Sequence, residues 1–350
     1  MPFKAEICID ARRIGPDQPT FVVAEMSANH GQDLIKAKEL VHAAHESGAD
    51  AIKLQTYRAD TLTMKCEQPH FYISDGAWKG QYLYDLYKGA FMPWEFHADL
   101  FELAATLGIC CFSSPFDDEA VELLEQLNAP AYKIASPELI DHPLLTRVAR
   151  TGKPIILSTG NATLQEIDEA VRLLRGRGVS ELALLKCTSA YPAPAESINL
   201  RTISHLAEAF DCPVGFSDHT IGNAVPIASV AMGACIIEKH FMLSRDEKTA
   251  DSFFSTTPDE MRGLVRSIRE VEKALGDVCY PEQEAPWRRC LYAARDIRQG
   301  EVFSRQNVAN LRPGGGELKP RHLGVVLGRV AATEIRRGEQ LKWAQVGQEK

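Results

Sequence analysis

One pattern dominates the chain. Between residues 21 and 275 a short β-rich run is followed by an amphipathic helical stretch, and the pair recurs eight times. The runs are FVVAEMS (21–27), AIKLQTY (51–57), GICCFSSPF (108–116), AYKIAS (131–136), PIILSTG (154–160), LALLKCTS (182–189), PVGFSDH (213–219) and CIIEKHF (235–241). Between them lie stretches such as LIKAKELVHAAHESG, DDEAVELLEQLN and TLQEIDEAVRLLRGRG, with apolar residues at helical spacing. Strands that alternate with helices are expected to run parallel. Eight β/α units over about 255 residues match the size of a TIM barrel. A doubly wound open sheet is the other arrangement such a pattern allows. Its Gly-rich phosphate loop after the first strand is missing here, where the first run ends AEMSANHG. The expected fold class is therefore α/β, a (β/α)8 barrel.

Residues 3–14 read as a hairpin ahead of the barrel, and residues 58–92 as a long insertion rich in Tyr and Trp after the second strand. Long βα loops sit at the catalytic face, so this one is expected to cover substrate. The repeat ends at Gly276, which bounds a barrel domain of residues 1–276. Residues 277–288 read as a linker. Residues 289–350 differ in kind: short β-like runs, turns at Gly300 and Gly338, and a Gly-rich LRPGGGELKP, together a small β-rich domain.

Charge and cysteine usage narrow the function classes. The 47 acidic residues outnumber 39 Lys and Arg, for a net charge of −8, which argues against a nucleic-acid binder but not against an anionic ligand in a locally basic site. Nine cysteines occur without a CxxC and read as small buried hydrophobes of a reducing compartment. The N-terminal stretch lacks a signal-peptide core, and no run of 18 apolar residues occurs. A soluble, cytoplasmic protein is expected.

In a TIM barrel the strand C-termini carry the chemistry, and residues of one parity share the inward face. The polar residues late in the runs are Glu25; Lys53 and Gln55; Ser114, followed by Phe116; Lys133, then Ser136 and Glu138; Ser158; Ser189 and Tyr191; Ser217 and His219; Glu238 and His240. A lone strand-end His is ordinarily a satisfied core residue, and a lone Ser at a βα junction is ordinarily a helix cap. So many polar groups converging on one rim are costly without a ligand. Two lysines with several hydroxyls suit an anion such as a phosphate and a carboxylate on one small molecule. His219 and His240, from neighbouring strands, can share a divalent cation that acts as a Lewis acid on a carbonyl.

In this order AEMSANH, KLQTY, CFSSPFD, YKIASPE, PIILSTG, FSDHT and IEKHF resemble the sialic acid synthase family over essentially the whole chain. The final segment, with RDIRQGE, NLRPGGG and VLGRVAATEIRRGEQL, looks like that family's antifreeze-like (SAF) domain. The resemblance implies condensation of phosphoenolpyruvate with an N-acetylated amino sugar: C3 attacks the metal-polarised open-chain aldehyde, water captures C2, and C–O cleavage releases phosphate. It implies that Lys53, Lys133, Ser136, Ser158, Ser189 and Ser217 hold phosphoenolpyruvate with Gln55 nearby, and that His219 and His240 bind Mn²⁺ or Mg²⁺. Glu25, Tyr191 and Asp251 would position the sugar, with Glu138 and Glu238 supporting. Arg312 would reach the active site of the partner subunit in a domain-swapped homodimer. The Met-Ser of AEMSANH, Ser189 in CTSAYPAP, KTADSFFS and YDLY resemble the pseudaminic acid branch, whose acceptor is 2,4-diacetamido-2,4,6-trideoxy-L-altrose. The legionaminate and N-acetylneuraminate branches are the alternatives. From other classes, a Schiff-base aldolase would use Lys186, and a non-catalytic binding protein would use the small domain.

Overall fold

The computed structural model describes residues 3–280 and 287–349; residues 281–286 of the expected linker lie outside the described residues. The chain divides into two compact units, Met1–Gly276 and Asp277–Lys350.

In the first unit β1 (Ile7–Ile9) and β2 (Arg12–Ile14) form an antiparallel hairpin. Asp10 and Ala11 turn it with positive φ of 49° and 62°, the handedness that matches strand twist in a two-residue hairpin loop. Eight parallel strands follow: β3 (Phe21–Glu25), β4 (Ala51–Thr56), β5 (Cys110–Pro115), β6 (Tyr132–Ile134), β7 (Ile155–Ser158), β8 (Leu182–Cys187), β9 (Val214–Asp218) and β10 (Ile236–His240). They pair in sequence order, and β10 returns to β3 to close the barrel. Each strand lies inside the run expected for it.

The helices Leu34–Glu46, Asp118–Gln126 and Leu164–Gly176 begin where Asp33, Asp117 and Thr163 accept hydrogen bonds from otherwise unpaired backbone N–H groups. Pro258–Leu275 starts with Pro in its first turn behind a Thr257–Glu260 capping box. Their apolar faces, with Leu40, Val121, Val171 and Leu264, pack on the outward strand residues Val22, Ile52, Leu157 and Ile237. The inward residues of the lower strands form a separate core. Phe21, Val23, Ala51, Phe112, Ile156, Leu185 and Ile236 stack on Ile7, Ile9 and Ile14, so the hairpin plugs the N-terminal end.

The second unit has two antiparallel pairs, β11 (Cys290–Ala293) with β12 (Val308–Leu311) and β13 (Arg329–Ala331) with β14 (Val346–Glu349). Leu291, Ile297, Phe303, Leu318, Ile335 and Leu341 form its own core. Gly300 and Gly338 turn with φ of 79° and 85°. Six of the nine cysteines are buried, but Cys8 and Cys279 are exposed. Among the described residues no helix is long and apolar enough to cross a membrane.

Candidate active site

Each barrel strand changes character at its last inward positions. On β3, Phe21 and Val23 give way to Glu25; on β4, Ala51 gives way to Lys53 and Gln55; on β10, Ile236 gives way to Glu238 and His240. The result is a cleft at the strand C-termini. It is lined by Glu25, Lys53, Gln55, Ser114, Lys133, Ser136, Ser158, Tyr191, Ser217, His219, Glu238 and His240, with Cys187 among them.

Two buried ammonium groups and two buried carboxylates form its floor. Lys53 pairs with Glu25, lies 3.8 Å from Glu238 and donates to Ser114 Oγ at 3.2 Å. Lys133 donates to Glu238 Oε1 at 3.2 Å, and Ser217 Oγ donates to the same oxygen at 3.0 Å. Burial opposes ionisation of Glu238, but Lys133 and Lys53 overcome it and hold the carboxyl down at about 2. Burial likewise opposes the charge on Lys53, and Glu238 and Glu25 more than restore it. Glu25 is left on the other side of the balance: burial and the Glu238 charge push its carboxyl up against the pull of Lys53. Neighbouring carboxyls driven apart in this way are fitted to different jobs, one a fixed charge and one a proton carrier.

Lys53 is within bonding distance of Glu25 and Ser114 with Glu238 3.8 Å away, whereas Lys133 has one protein acceptor and keeps donors for a ligand. The serines at the rim are not helix caps. Asp117, Asp141 and Thr163 take that role, and Ser136 makes no side-chain cap bond. Ser158 Oγ and Ser189 Oγ are buried without a partner, which is costly unless something else fills the cleft. Gly160 allows the crowding here: a Cβ at that position would stand 2.6 Å from Ser189 Oγ, 2.8 Å from Ser136 Oγ and 3.1 Å from Cys187 Sγ.

The two histidines stand side by side at the ends of paired strands, ring centroids 5.3 Å apart. His219 Nδ1 donates to the Thr188 carbonyl at 2.9 Å, so in the neutral ring Nε2 carries the lone pair; burial opposes the charged ring, but Cys187 and the Thr188 carbonyl outweigh it and raise the imidazole's hold on its proton. His240 Nδ1 is buried without a hydrogen bond, 3.8 Å from Asp251. Burial, His219 and the two lysines hold His240 far below the ordinary imidazole range, so it is neutral, the ligating form. Among the described residues no group of three or more His, Cys, Asp or Glu is arranged as a metal site. Two imidazoles with lone pairs to give still fit a divalent cation that takes its remaining ligands from water and substrate.

Above the histidines stands an aromatic wall. Tyr191 packs on His219 at 4.3 Å and on Phe254 at 5.2 Å, and Trp78 from the insertion stacks on Tyr191 at 5.3 Å. Trp78 Nε1 donates to Ala250 O at 2.8 Å, tying the insertion to the loop after β10.

Five of the expected residues do not line the cleft. Ser189 sits just behind Gly160. Asp251 accepts from Ser27 Oγ beside His240. Glu138 lies past β6 with Oε2 buried and unpartnered. Phe116 packs on Tyr57, centroids 5.4 Å apart. Arg312 is an exposed residue of the second unit, directly after β12. Lys186 has the opposite parity and bonds to Cys187 O and Thr188 Oγ1, away from the cleft lining; burial lowers its hold on a proton, but its position does not favour a Schiff base in the cleft. Cys187, Gly160, Ser27 and Trp78 were not among the expected site residues. Position 27 continues the inward series 21, 23, 25, and 187 precedes 189 in the same way, so parity was the signal available.

Comparison with known proteins agrees with this geometry. The NeuB family model matches residues 40–280, and a SAF domain model matches residues 288–347. The chain is 44% identical over 321 residues to the pseudaminic acid synthase of Helicobacter pylori, covering 90% of this chain and 94% of the relative. It is 42% identical over 331 residues to that of Campylobacter jejuni strain 81-176, covering 93% and 96%. A crystal structure of N-acetylneuraminic acid synthetase from Leptospira borgpetersenii, in complex with citrate, superposes with a TM-score of 0.72 at 31% identity, covering 81% of this chain and 94% of that one. Paired lysines, unpartnered hydroxyls and twin histidines at the mouth of an eight-stranded barrel thus occur in a chain that belongs to the NeuB family.

Proposed function

We propose that the protein condenses phosphoenolpyruvate with 2,4-diacetamido-2,4,6-trideoxy-L-altrose, giving the nine-carbon 2-keto acid pseudaminic acid and phosphate. The observation that carries the reading is the meeting of Lys53, Lys133 and the free hydroxyl of Ser158 beside His219 and His240, in a chain 42–44% identical to pseudaminic acid synthases. Lys133, with donors to spare, binds the anion directly, and Ser136, Ser158, Ser189 and Ser217 complete its cradle. Glu238 keeps both lysines in register. A divalent cation on His219 and His240, Mn²⁺ by the imidazole preference or Mg²⁺, would supply Lewis-acid polarisation of the acceptor's aldehyde. C3 of phosphoenolpyruvate forms a bond to the aldehyde carbon, whose oxygen takes a proton. Glu25, the carboxyl whose hold on a proton burial and the Glu238 charge strengthen, is the donor in this reading. Water then adds to C2, and cleavage of the C2–O bond expels phosphate.

The apolar wall of Trp78, Tyr191, Phe253 and Phe254 favours a 6-deoxy sugar, since a 6-hydroxyl against it would lose its hydrogen bonds. The same reading makes the enzyme a cytoplasmic homodimer whose exposed Arg312 serves the partner's barrel. Mixing Arg312→Ala with His240→Ala chains should then restore part of the activity, and none would return if the second unit served only its own barrel. The principal test incubates the enzyme with phosphoenolpyruvate, a divalent cation and each of three sugars: the diacetamido altrose, the legionaminate precursor and N-acetylmannosamine. Product mass and phosphate release identify the acceptor. A preference for N-acetylmannosamine would move the protein to the N-acetylneuraminate branch.

A further inference from the structure

Ser27 lies two residues past β3, buried, with a φ of 45° in the left-handed region that favours glycine. A serine kept in that conformation calls for a compensating role, and its hydrogen bonds point to one. Its N–H donates to Glu25 Oε1 at 3.1 Å. Its hydroxyl accepts from Gln55 Nε2 at 3.2 Å and donates to Asp251. Gln55 Nε2 also donates to Glu25 Oε1 at 3.0 Å, so the bonds close into a ring. Ser27 therefore joins three strands and loops that are remote in sequence: β3, β4 and the loop after β10. Two residues on, Asn29 pins the same loop by donating to Phe241 O at 2.9 Å and Ser255 Oγ at 2.8 Å. The loop is held by Asn29 whether or not position 27 has a hydroxyl. The Ala28 backbone N–H also reaches the Asp251 carboxylate, and the Ser27 hydroxyl adds the second bond that fixes its direction, 3.8 Å from His240 Nδ1.

We propose that Ser27 is a positioning residue for the acceptor half of the site: its hydroxyl aims Asp251 and Gln55 at the sugar, and the left-handed backbone is the cost of placing that hydroxyl there. This rests on the synthase reading above. The anion cradle of Lys133 and Ser158 makes no direct bond to Ser27; the one link runs through Glu25 to Lys53, and the Ser27 backbone N–H that makes it remains when the hydroxyl is removed, so the two halves should respond separately.

Ser27→Gly removes the hydroxyl and suits the backbone; Ser27→Ala removes the hydroxyl and keeps a Cβ. Thermal unfolding should be at or above wild type for the glycine variant and below it for the alanine variant. Both should lose about 10–100-fold in kcat/KM for the acceptor sugar while KM for phosphoenolpyruvate stays within about twofold. A glycine variant that is as stable as wild type and equally active on the sugar would overturn the proposal, as would equal losses for both substrates. Crystal structures of wild type and Ser27→Gly give a second arm that needs no turnover. Asp251 should leave its place beside His240 in the variant, and an unmoved carboxylate would refute the positioning role. If wild type turns over none of the three sugars, the synthase reading fails, and the crystallographic arm still decides Ser27.

Discussion

The two ends of the barrel interior are built from the same strands by the same alternation, yet they share almost no chemistry. At the N-terminal end Phe21, Ala51, Phe112, Ile156 and Ile236 close on the hairpin's Ile7, Ile9 and Ile14 as one apolar cluster. Two to four residues further along the same strands stand Glu25, Lys53, Ser114, Ser158 and Glu238, just as buried. The lower layer gains by leaving water and asks nothing of a ligand. The upper layer keeps its charges only because each lysine finds a carboxylate, and it leaves hydroxyls and an imidazole nitrogen unpaired. Burial alone therefore does not tell core from site. The test is whether the buried groups are satisfied by the protein itself.

The sharpest way to break this contrast is at the histidines. His219→Ala or His240→Ala should lower turnover by about 10³-fold or more, the several kcal/mol that a Lewis acid contributes. Thermal unfolding should barely move, because neither ring is part of the plug. Chelation should inactivate wild type reversibly, and full activity in metal-free protein would remove the cation from the mechanism. Phe21→Ala is the complementary change. It should cost about 3–5 kcal/mol in denaturant unfolding while kcat per folded molecule holds. A large loss of kcat with little loss of stability would mean that the plug is part of the catalytic apparatus.

How much of this was legible in the sequence follows from the same contrast. The eight strands were, because each is a short apolar run between amphipathic helices. The helices His142–Ala149, Thr202–Phe210 and Ala224–Ala231 were harder to see, being only eight or nine residues long and, in the last case, carrying Pro226 in the first turn. The polar rim was legible from parity, since Lys53, Ser217, Glu238 and His240 fall on inward positions. Parity says nothing about loops. Asp251 and Trp78 reach the site through chain that has no period, and Phe116 and Glu138 sit where the chain has left the strand. Gly160 could not be read at all, because its role is the space it leaves for three other side chains. Cys187 was legible by parity but not by type, since a cysteine in an apolar run is ordinarily packing.

A smaller effect separates the two lysines. Lys133 has one protein acceptor, while Lys53 has Glu25 and Ser114 with Glu238 3.8 Å away, so the proposed reading makes Lys133 the anchor for the anion and Lys53 the strut of the network. Lys133→Ala should weaken phosphoenolpyruvate binding by about 1.5–3 kcal/mol, the scale of a charge-assisted hydrogen bond, as read by calorimetry. If phosphoenolpyruvate binds Lys133→Ala as tightly as wild type, the anion lies elsewhere in the cleft.

The smallest expected effect is a pH slope, which a purely apolar plug cannot show. Two carboxyls of the mouth are displaced in opposite directions. Glu238 is held at about 2, below its unfolded value, so its contribution is present above pH 4.5 and is lost as pH falls towards 2. Glu138 is pushed up to about 7 by burial, which outweighs the pull of Lys133. The folded state therefore binds a proton that the unfolded chain has released, so the Glu138 contribution is fully present below pH 4.5 and is lost as pH rises through 7. For a shift of this size, discounted for partial exposure, the decline is about 1–3 kcal/mol. Glu138→Gln keeps the shape and removes the titration. Its unfolding free energy, followed by urea from pH 4.5 to 8, should lose that part of the slope, with the difference from wild type largest at the alkaline end. An unchanged slope would mean that Glu138 is ionised in the folded protein, and that the anion cradle carries one more negative charge than its burial implies.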